Sequence, residues 1–235
     1  VTGADDFPLR VVPALGAIDG PKAIADKAQA LARRSTDKLR LGAVKLMTDG
    51  SIQGWTARVK SPGYVGGQPN GIWNTPPETI FALVDELHGV CCNIFANHIY
   101  YFGDQHAGLT IGNDRAERMD GSRSAIDAGV NIAIHSDAPV TPMAPLFTAW
   151  CAVNRQTMSG RTLGAAQCID VEEALFAITM GAAYTLKLDS EIGSIEAGKR
   201  ADFAVLGDDP MAVEPLALKD VPILGTVFGG HVHLL

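Results

Sequence analysis

Two positions in the sequence place a chemically useful side chain directly after a short apolar run. Lys45 lies near the end of the run at residues 39–47, and Asp137 follows the run at residues 130–134. Runs of this kind are typical of buried β-strands. Functional groups gather at the C-terminal ends of strands in a parallel α/β barrel. These two positions are therefore the first candidates for a site.

The amine of Lys45 has two interpretations. As an edge lysine, it extends toward solvent over its apolar stem. As a desolvated neutral amine, it would add carbon dioxide and become a carbamate. The two anionic oxygens of a carbamate are hard donors that can bridge two divalent ions. The lysine alone does not decide between the two.

Asp137 stands in the motif HSDAP at residues 135–139, where a predicted strand turns into a loop. Its carboxylate would point into the mouth of a barrel. There it could bind a metal ion and accept a proton from the metal-bound water, because the metal lowers the pKa of that water toward neutrality. The alternative is a turn aspartate that caps its own backbone, which is common in Ser-Asp-x-Pro stretches. Both interpretations stay open for this motif taken alone.

Alternating apolar and amphipathic segments predict a parallel α/β architecture followed by a small antiparallel tail. The predicted strands of the main body lie at residues 9–15, 39–47, 90–96 and 130–135, and its helices at residues 22–34, 76–88, 114–128 and 171–184. The tail contains short β-like runs punctuated by glycines, at residues 192–195, 202–206 and 221–228, the last continuing to Val232.

The composition points to a small-molecule partner. The chain has 235 residues, of which 47% are hydrophobic and 19% charged, with a formal net charge of -7. Acidic groups spread along the chain argue against binding to nucleic acid or an anionic membrane, since both need clustered Lys and Arg. No apolar run approaches the roughly 18 residues of a membrane span. Homo-oligomer formation is left open.

The cysteines bear on the cellular compartment of the protein, and the first residues bear on where the protein starts. Cys91, Cys92, Cys151 and Cys168 form neither a C-x-x-C pair nor a regular framework, so we expect reduced thiols in or near the core of a cytoplasmic protein. The first residues lack an initiator Met and the apolar region of a signal peptide. We therefore expect that residue 1 is not the biological start.

Three segments, in order, resemble the family 3 branch of the amidohydrolase superfamily. VKLMTDGS at residues 44–51, with WTA following at 55–57, resembles its strand-four lysine segment. The strand-eight segment with the metal-binding aspartate is matched by DAGV at 127–130, HSDAPV at 135–140, PL at 145–146 and AVNR at 152–155. The return into a C-terminal β-sandwich is matched by EAL at 173–175, Thr179, AA at 182–183 and GSIEAGKRADF at 193–203.

This resemblance implies an α/β fold, a (β/α)8 barrel over residues 1–186 with a β-sandwich appendage over residues 187–235. It also implies hydrolysis of non-peptide C–N bonds with one or two divalent metal ions, zinc being the expected metal. By position, Lys45 corresponds to the bridging or capping lysine of the family, and Asp137 to a metal ligand that also accepts a proton.

Residues 98–104 and 114–115 look like the loop after strand seven, which shapes the substrate pocket. His98, Asp104 and Arg115 are therefore candidates for substrate binding, although hydrogen bonds within the loop would account for His98 and Asp104 equally well. Arg155 is a further candidate, and it either pairs internally or faces the substrate.

The histidine ligands of the family are missing. The family has a His-x-His on strand one and one histidine on each of two strands after the lysine strand. None of these is found among the six histidines, and the His231-x-His233 pair fits a surface strand of the tail. Two βα units, about 60 residues, would be absent at the junction of His88 and Gly89. We therefore expect that segments are missing there and before residue 1.

Two functions are compatible with these observations. In the first, a metal-bound hydroxide attacks an amide, formamide, urea-like or cyclic amide carbon, and Asp137 passes the proton to the leaving nitrogen. In the second, a non-catalytic or regulatory protein keeps the amidohydrolase scaffold without a complete metal site. A nucleotide-binding protein is disfavoured because the chain contains neither G-x-G-x-x-G nor a P-loop.

Overall fold

A computed structural model describes Phe7, residues 9–87 and residues 91–235 of the chain. Two compact units are present. The first contains the described residues before Tyr64 together with residues 67–87, and the second contains residues 64–66 and Cys91–Leu235. The predicted junction at His88 and Gly89 lies outside the described residues, so the missing segment stays a prediction.

The first unit is built on a short βαβ arrangement. Its elements are β1 (Ala14–Gly16), α1 (Pro21–Ala32), β2 (Ala43–Lys45) and α2 (Pro77–Leu87). β1 and β2 pair in parallel, as the alternation of elements predicts, with Leu15 opposite Val44. The strands are shorter than predicted. Pro13, which has no backbone N–H, separates β1 from an isolated bridge between Val11 and Leu39.

The second unit is a parallel strand pair covered by helices. β3 (Cys92–Phe95) and β4 (Ile132–His135) pair in parallel. The helices are α3 (Asn97–Gln105), α4 (Asn113–Ala116), α5 (Ser122–Asp127), α6 (Pro145–Asn154), α7 (Val171–Ile178) and α8 (Met180–Thr185). The core joins the strand residues Ile94, Ile132 and Ile134 to the buried faces of α6 and α7. Asp170 and Glu173 form a complete capping box at the start of α7, which fixes where that helix begins.

The sequence misplaced several helices. Residues 98–104 form α3, not a loop, and α3 runs directly into a π-helical turn at His106–Thr110. α6 carried no helical signal because seven of its ten residues are buried and it has no polar face. The helix predicted at 114–128 breaks between α4 and α5, where Asp120 adopts a left-handed φ of 48°. The helix predicted at 171–184 breaks at Thr179.

The tail forms a three-stranded antiparallel sheet, which confirms its antiparallel character. The strands are β5 (Phe203–Leu206), β6 (Ile223–Phe228) and β7 (His231–Leu234), in that order across the sheet. β7 is exposed along its length, as expected for a surface strand carrying His231 and His233. Residues 192–195 form turns and not the predicted strand. The β-sandwich and the eight-stranded barrel stay predictions.

None of the helices in the described ranges is both long enough and apolar enough to cross a membrane. All four cysteines are free thiols, as expected, with Cys151 buried and the other three partly buried.

The contact between α8 and β4 leaves no room for a side chain at Gly181. A Cβ atom there would lie 2.1 Å from the carbonyl oxygen of Ile132. We expect Gly181→Ala to force α8 away from β4 and to lower the melting temperature of the full-length protein by at least about 4 °C. Gly108→Ala is the matched control, since a Cβ at Gly108 meets nothing within 4 Å. Equal melting temperatures for the two variants would contradict this packing.

Candidate active site

Asp137 lies at the C-terminal end of β4 in a turn whose backbone is unusual. Its φ of 53° falls in the left-handed region, which few residues other than glycine adopt, although Asp and Asn adopt it more readily than most. Its N–H donates to His135 Nδ1 at 3.0 Å, and its carbonyl oxygen accepts from the N–H of Val140 at 2.8 Å. The turn is therefore held by groups other than the Asp137 carboxylate.

The Asp137 side chain is exposed. Among the described residues, none donates a hydrogen bond to its carboxylate, and it does not cap its own turn. All of the acceptor capacity of this carboxylate is therefore available for a proton or a cation at the end of the strand. Its roles as metal ligand and proton acceptor stay predictions.

His98 lies between Asp120 and His106 in a buried chain of polar side chains. Its Nδ1 lies 3.2 Å from the Asp120 carboxylate, and its Nε2 lies 2.9 Å from Nε2 of His106. The Nδ1 of His106 in turn lies 2.9 Å from the Thr110 hydroxyl. The π-helical turn His106–Thr110 brings the last two side chains together, and such turns are frequent at functional sites.

Two proton arrangements satisfy this chain. When His98 is protonated on both nitrogens, it donates to His106, its positive charge lies against the Asp120 carboxylate, and His106 donates to Thr110. When His98 is neutral, His106 donates to His98 and accepts from the Thr110 hydroxyl. In both arrangements His106 is neutral, and burial together with the neighbouring His98 lowers the pKa of His106 to about 4.

Asp104 and Arg115 are held by local contacts. The Asp104 carboxylate accepts from the N–H of Ser159 at 3.1 Å and from its hydroxyl at 2.9 Å. Desolvation would raise the pKa of Asp104, but hydrogen bonds from Thr157 and Ser159 outweigh it and hold the pKa below its usual value. The Nε of Arg115 donates to the carbonyl oxygen of Ile111 at 2.6 Å.

Arg155 pairs internally. It is 1% exposed, and its guanidinium donates to the backbone carbonyls of Leu163 at 2.8 Å, Asp120 at 3.0 Å and Met119 at 2.9 Å. The sequence left two alternatives for Arg155, internal pairing or contact with the substrate. The contacts in the structure are internal pairing. Substrate contacts of His98, Asp104, Arg115 and Arg155 stay predictions.

Lys45 is the last residue of β2, as expected, and its side chain is exposed. Side-chain hydrogen bonds hold the loop that follows Lys45. Asp49 accepts from the N–H of Arg58 at 2.7 Å, and Asn74 donates to the carbonyl oxygen of Asp49 at 2.7 Å. Lys45 belongs to the first unit and Asp137 to the second. A metal site shared by the two stays a prediction.

The described residues do not complete a metal site. Within residues 9–87 and 91–235, no group of three or more His, Cys, Asp or Glu side chains is arranged to hold a metal ion. The His98–His106 pair contributes no ligand set, because the ring nitrogens bond to each other and to Asp120 and Thr110. Asp137 supplies one carboxylate, whereas a catalytic zinc ion is held by three protein ligands.

Sequence reasoning missed His106 and Asp120 as the neighbours of His98, and Thr110 as the partner of His106. The spacing of eight residues between His98 and His106 was a usable signal once a helix was assumed, since it spans about two turns. The residues of α3 were instead predicted to form a loop, so the helical spacing of His98 and His106 was not considered. Asp120 gave no signal, because its contact with His98 depends on the break between α4 and α5.

Comparisons with known proteins agree on one family. Residues 71–233 match the family model described as "Amidohydrolase family". The N-substituted formamide deformylase of Arthrobacter pascens is 39% identical over 108 residues, which are 46% of this chain and 20% of the deformylase. The imidazolonepropionase of a Bacteroides fragilis strain is 30% identical over 115 residues, 47% of this chain and 25% of that enzyme. These matches therefore span a fifth to a quarter of the length of the curated relatives.

A solved structure shows the same fold. The crystal structure of an uncharacterized metal-dependent hydrolase from Pyrococcus horikoshii superposes with a TM-score of 0.70 at 21% identity, covering 88% of this chain and 52% of that chain. The fold of this chain is therefore one found in metal-dependent hydrolases.

The lowered pKa of His106 makes acid stability testable. Between pH 6.5 and about 4 the unfolded chain binds a proton at this position and the folded chain does not, so stability falls as the pH falls. Urea titrations measure the free energy of unfolding of the full-length protein and of its His106→Gln variant at pH 7 and pH 5. Between these two pH values we expect the free energy of unfolding to fall by about 1–2 kcal/mol more in the unsubstituted protein than in the variant. An equal loss in both proteins would contradict a neutral, buried His106.

Proposed function

This chain belongs to the amidohydrolase family, and on that premise we propose that the protein is a hydrolase acting on carbon–nitrogen bonds other than peptide bonds. The substrate class is an amide, formamide, urea-like or cyclic amide. The observation that carries the proposal is the exposed Asp137 carboxylate at the end of β4, to which none of the described residues donates a hydrogen bond and which lies within the matched residues 71–233. The names of the two curated relatives, a formamide deformylase and an imidazolonepropionase, support the substrate class.

Asp137 performs the proton transfers in this proposal. Water adds to the carbonyl carbon, and the carboxylate accepts the proton that the water loses. The same carboxyl group then donates that proton to the substrate nitrogen as the C–N bond breaks, because an amine leaves far more readily than an amide anion. The products are a carboxylic acid, or formic acid from a formamide, and an amine, and the carboxylate returns to its starting state.

The exposed end of β4 suits this role. A general base must reach the water and the leaving nitrogen within about 2.6–3.2 Å. A carboxylate that accepts no hydrogen bond from the described residues keeps both oxygens available for this. The backbone holds the turn without using the side chain, so proton transfer breaks no hydrogen bond of the fold. Water activation by one or two divalent ions, expected to be zinc, with Lys45 and Asp137 as ligands, requires ligands beyond those that the described residues supply.

A non-catalytic or regulatory role on the same scaffold is the second candidate. It is favoured by the absence, within the described part of the chain, of a group of side chains able to hold a metal. Metal analysis of the purified full-length protein separates the two functions. One or more equivalents of zinc, manganese or iron supports the enzyme, and none supports the scaffold. A cytoplasmic location and a small-molecule substrate belong to the proposal of a hydrolase, and homo-oligomer formation stays open.

The role of Asp137 is tested by Asp137→Asn. Asn is nearly isosteric and also tolerates the left-handed backbone, so the fold should persist while the proton acceptor is lost. We expect kcat on a C–N substrate of the full-length protein to fall by about three orders of magnitude, with an unchanged melting temperature. Asp127→Asn, which changes an exposed carboxylate on α5, serves as the control. Near-full activity of Asp137→Asn would refute the assigned role.

A further inference from the structure

A buried hydrogen-bond chain ties the Asp137 turn to the end of the neighbouring strand. Asn97, the first residue of α3, follows β3 by two residues and is 0% exposed. Its Nδ2 donates to the hydroxyl of Thr141 at 2.8 Å. That hydroxyl, on a residue that is 2% exposed, donates in turn to the backbone carbonyl of Ser136.

The Ser136 carbonyl and the Asp137 N–H belong to the same peptide group. Thr141 holds the carbonyl side of this plane, and His135 Nδ1 accepts from its N–H side at 3.0 Å. A peptide group is planar, so two contacts on opposite edges fix its orientation. The orientation of this plane sets the φ of Asp137, and φ sets the direction of the Cα–Cβ bond from which the carboxylate extends.

Stability alone does not explain the chain. Burying a polar side chain costs free energy unless its hydrogen bonds are made. Among the described residues, the Oδ1 of Asn97 is buried without a hydrogen-bond partner. Apolar residues of similar volume at both positions would avoid this cost. The left-handed backbone at Asp137 likewise persists only when its surroundings over-determine it.

We infer that Asn97 and Thr141 are positioning residues, which set the direction of the Asp137 carboxylate by clamping the peptide group before it. The inference rests on the proposed function of Asp137. A displacement of about 1 Å at a reacting group lowers the rate by as much as about 100-fold. Loss of the clamp should therefore lower kcat and leave KM nearly unchanged, because neither residue contacts the substrate in this proposal.

Three threonine variants of the full-length protein test this on a C–N substrate. Thr141→Val removes the hydroxyl at constant shape and should lower kcat by about 10- to 100-fold, with KM within about threefold. Thr141→Ser keeps the hydroxyl and should restore most of the rate. Thr148→Val is the matched control, because Thr148 is also 2% exposed and its hydroxyl also donates to a backbone carbonyl, that of Ala144 at 3.2 Å. Equal losses in Thr141→Val and Thr148→Val would show a merely structural role and overturn the inference.

A double variant tests whether the two residues act in series. If Asn97 acts only through Thr141, Asn97→Ala combined with Thr141→Val should lower kcat no further than the more damaging single variant. Multiplying losses would overturn the series arrangement. Should Asn97→Ala fail to fold, the comparison of Thr141→Val, Thr141→Ser and Thr148→Val stands without it.

Amide hydrogen exchange separates a failure of this inference from a failure of the proposed function. The N–H groups of Asp137 and Val140 are both bonded within the turn. In Thr141→Val their exchange should become at least about tenfold faster, while Thr148→Val leaves it unchanged. If the protein hydrolyses no C–N substrate but this difference appears, the clamp is real and the proposed function fails. If exchange at both amides is the same in all variants, the clamp is refuted.

Discussion

Parallel pairing of β3 with β4 is the constraint on which the candidate site depends. The register sets Phe95 opposite His135, and parallel strands bring their C-terminal ends to the same edge of a sheet. The Phe95 ring stacks on His135 with centroids 5.4 Å apart and on His98 at 5.0 Å. A shift of one residue would turn these side chains to opposite faces. The imidazole that accepts from Asp137 is thus oriented by a ring on the neighbouring strand.

A second constraint is the buried Arg155 guanidinium, which shapes the segment that supports His98. Arg155 closes α6 in a left-handed conformation with a φ of 46°. Its guanidinium donates to the carbonyl oxygens of Met119 and Asp120, in the segment that interrupts the helical structure between α4 and α5. Burial lowers the pKa of Arg155 while Asp120 opposes that effect, and three backbone partners compensate its lost hydration. The same contacts place the Asp120 carboxylate against His98.

Sequence patterns located the features that depend on local chemistry and missed those that depend on packing. The strands β2 and β4 were predicted because an apolar run that stops at a polar turn is a local signal. The end of β4 at His135 was predicted correctly, and β2 ends two residues before the predicted end at Met47. The functional roles of Lys45 and Asp137 stay predictions. α6 was missed because a helix buried on all sides has no amphipathic period. Arg155 could not be assigned, since its partners Met119 and Asp120 lie 36 and 35 residues away from it in the sequence. Asn97 and Thr141 gave no signal in the sequence, because they come together only through the pairing of β3 with β4.

The contacts of the candidate residues divide them into two groups with different chemical capacity. His98, Asp104 and Arg155 each use polar atoms on partners within the second unit. A reaction at one of these groups must first break bonds that the fold has already made. Asp137 is the reverse case, because its backbone carries the restraint while its carboxylate keeps its lone pairs. The restrained atoms of Asp137 are in its backbone and the reactive atoms are in its side chain. The residue can therefore have a fixed backbone and a carboxylate that is available to accept a proton. This separation favours Asp137 over the other candidates as the proton acceptor.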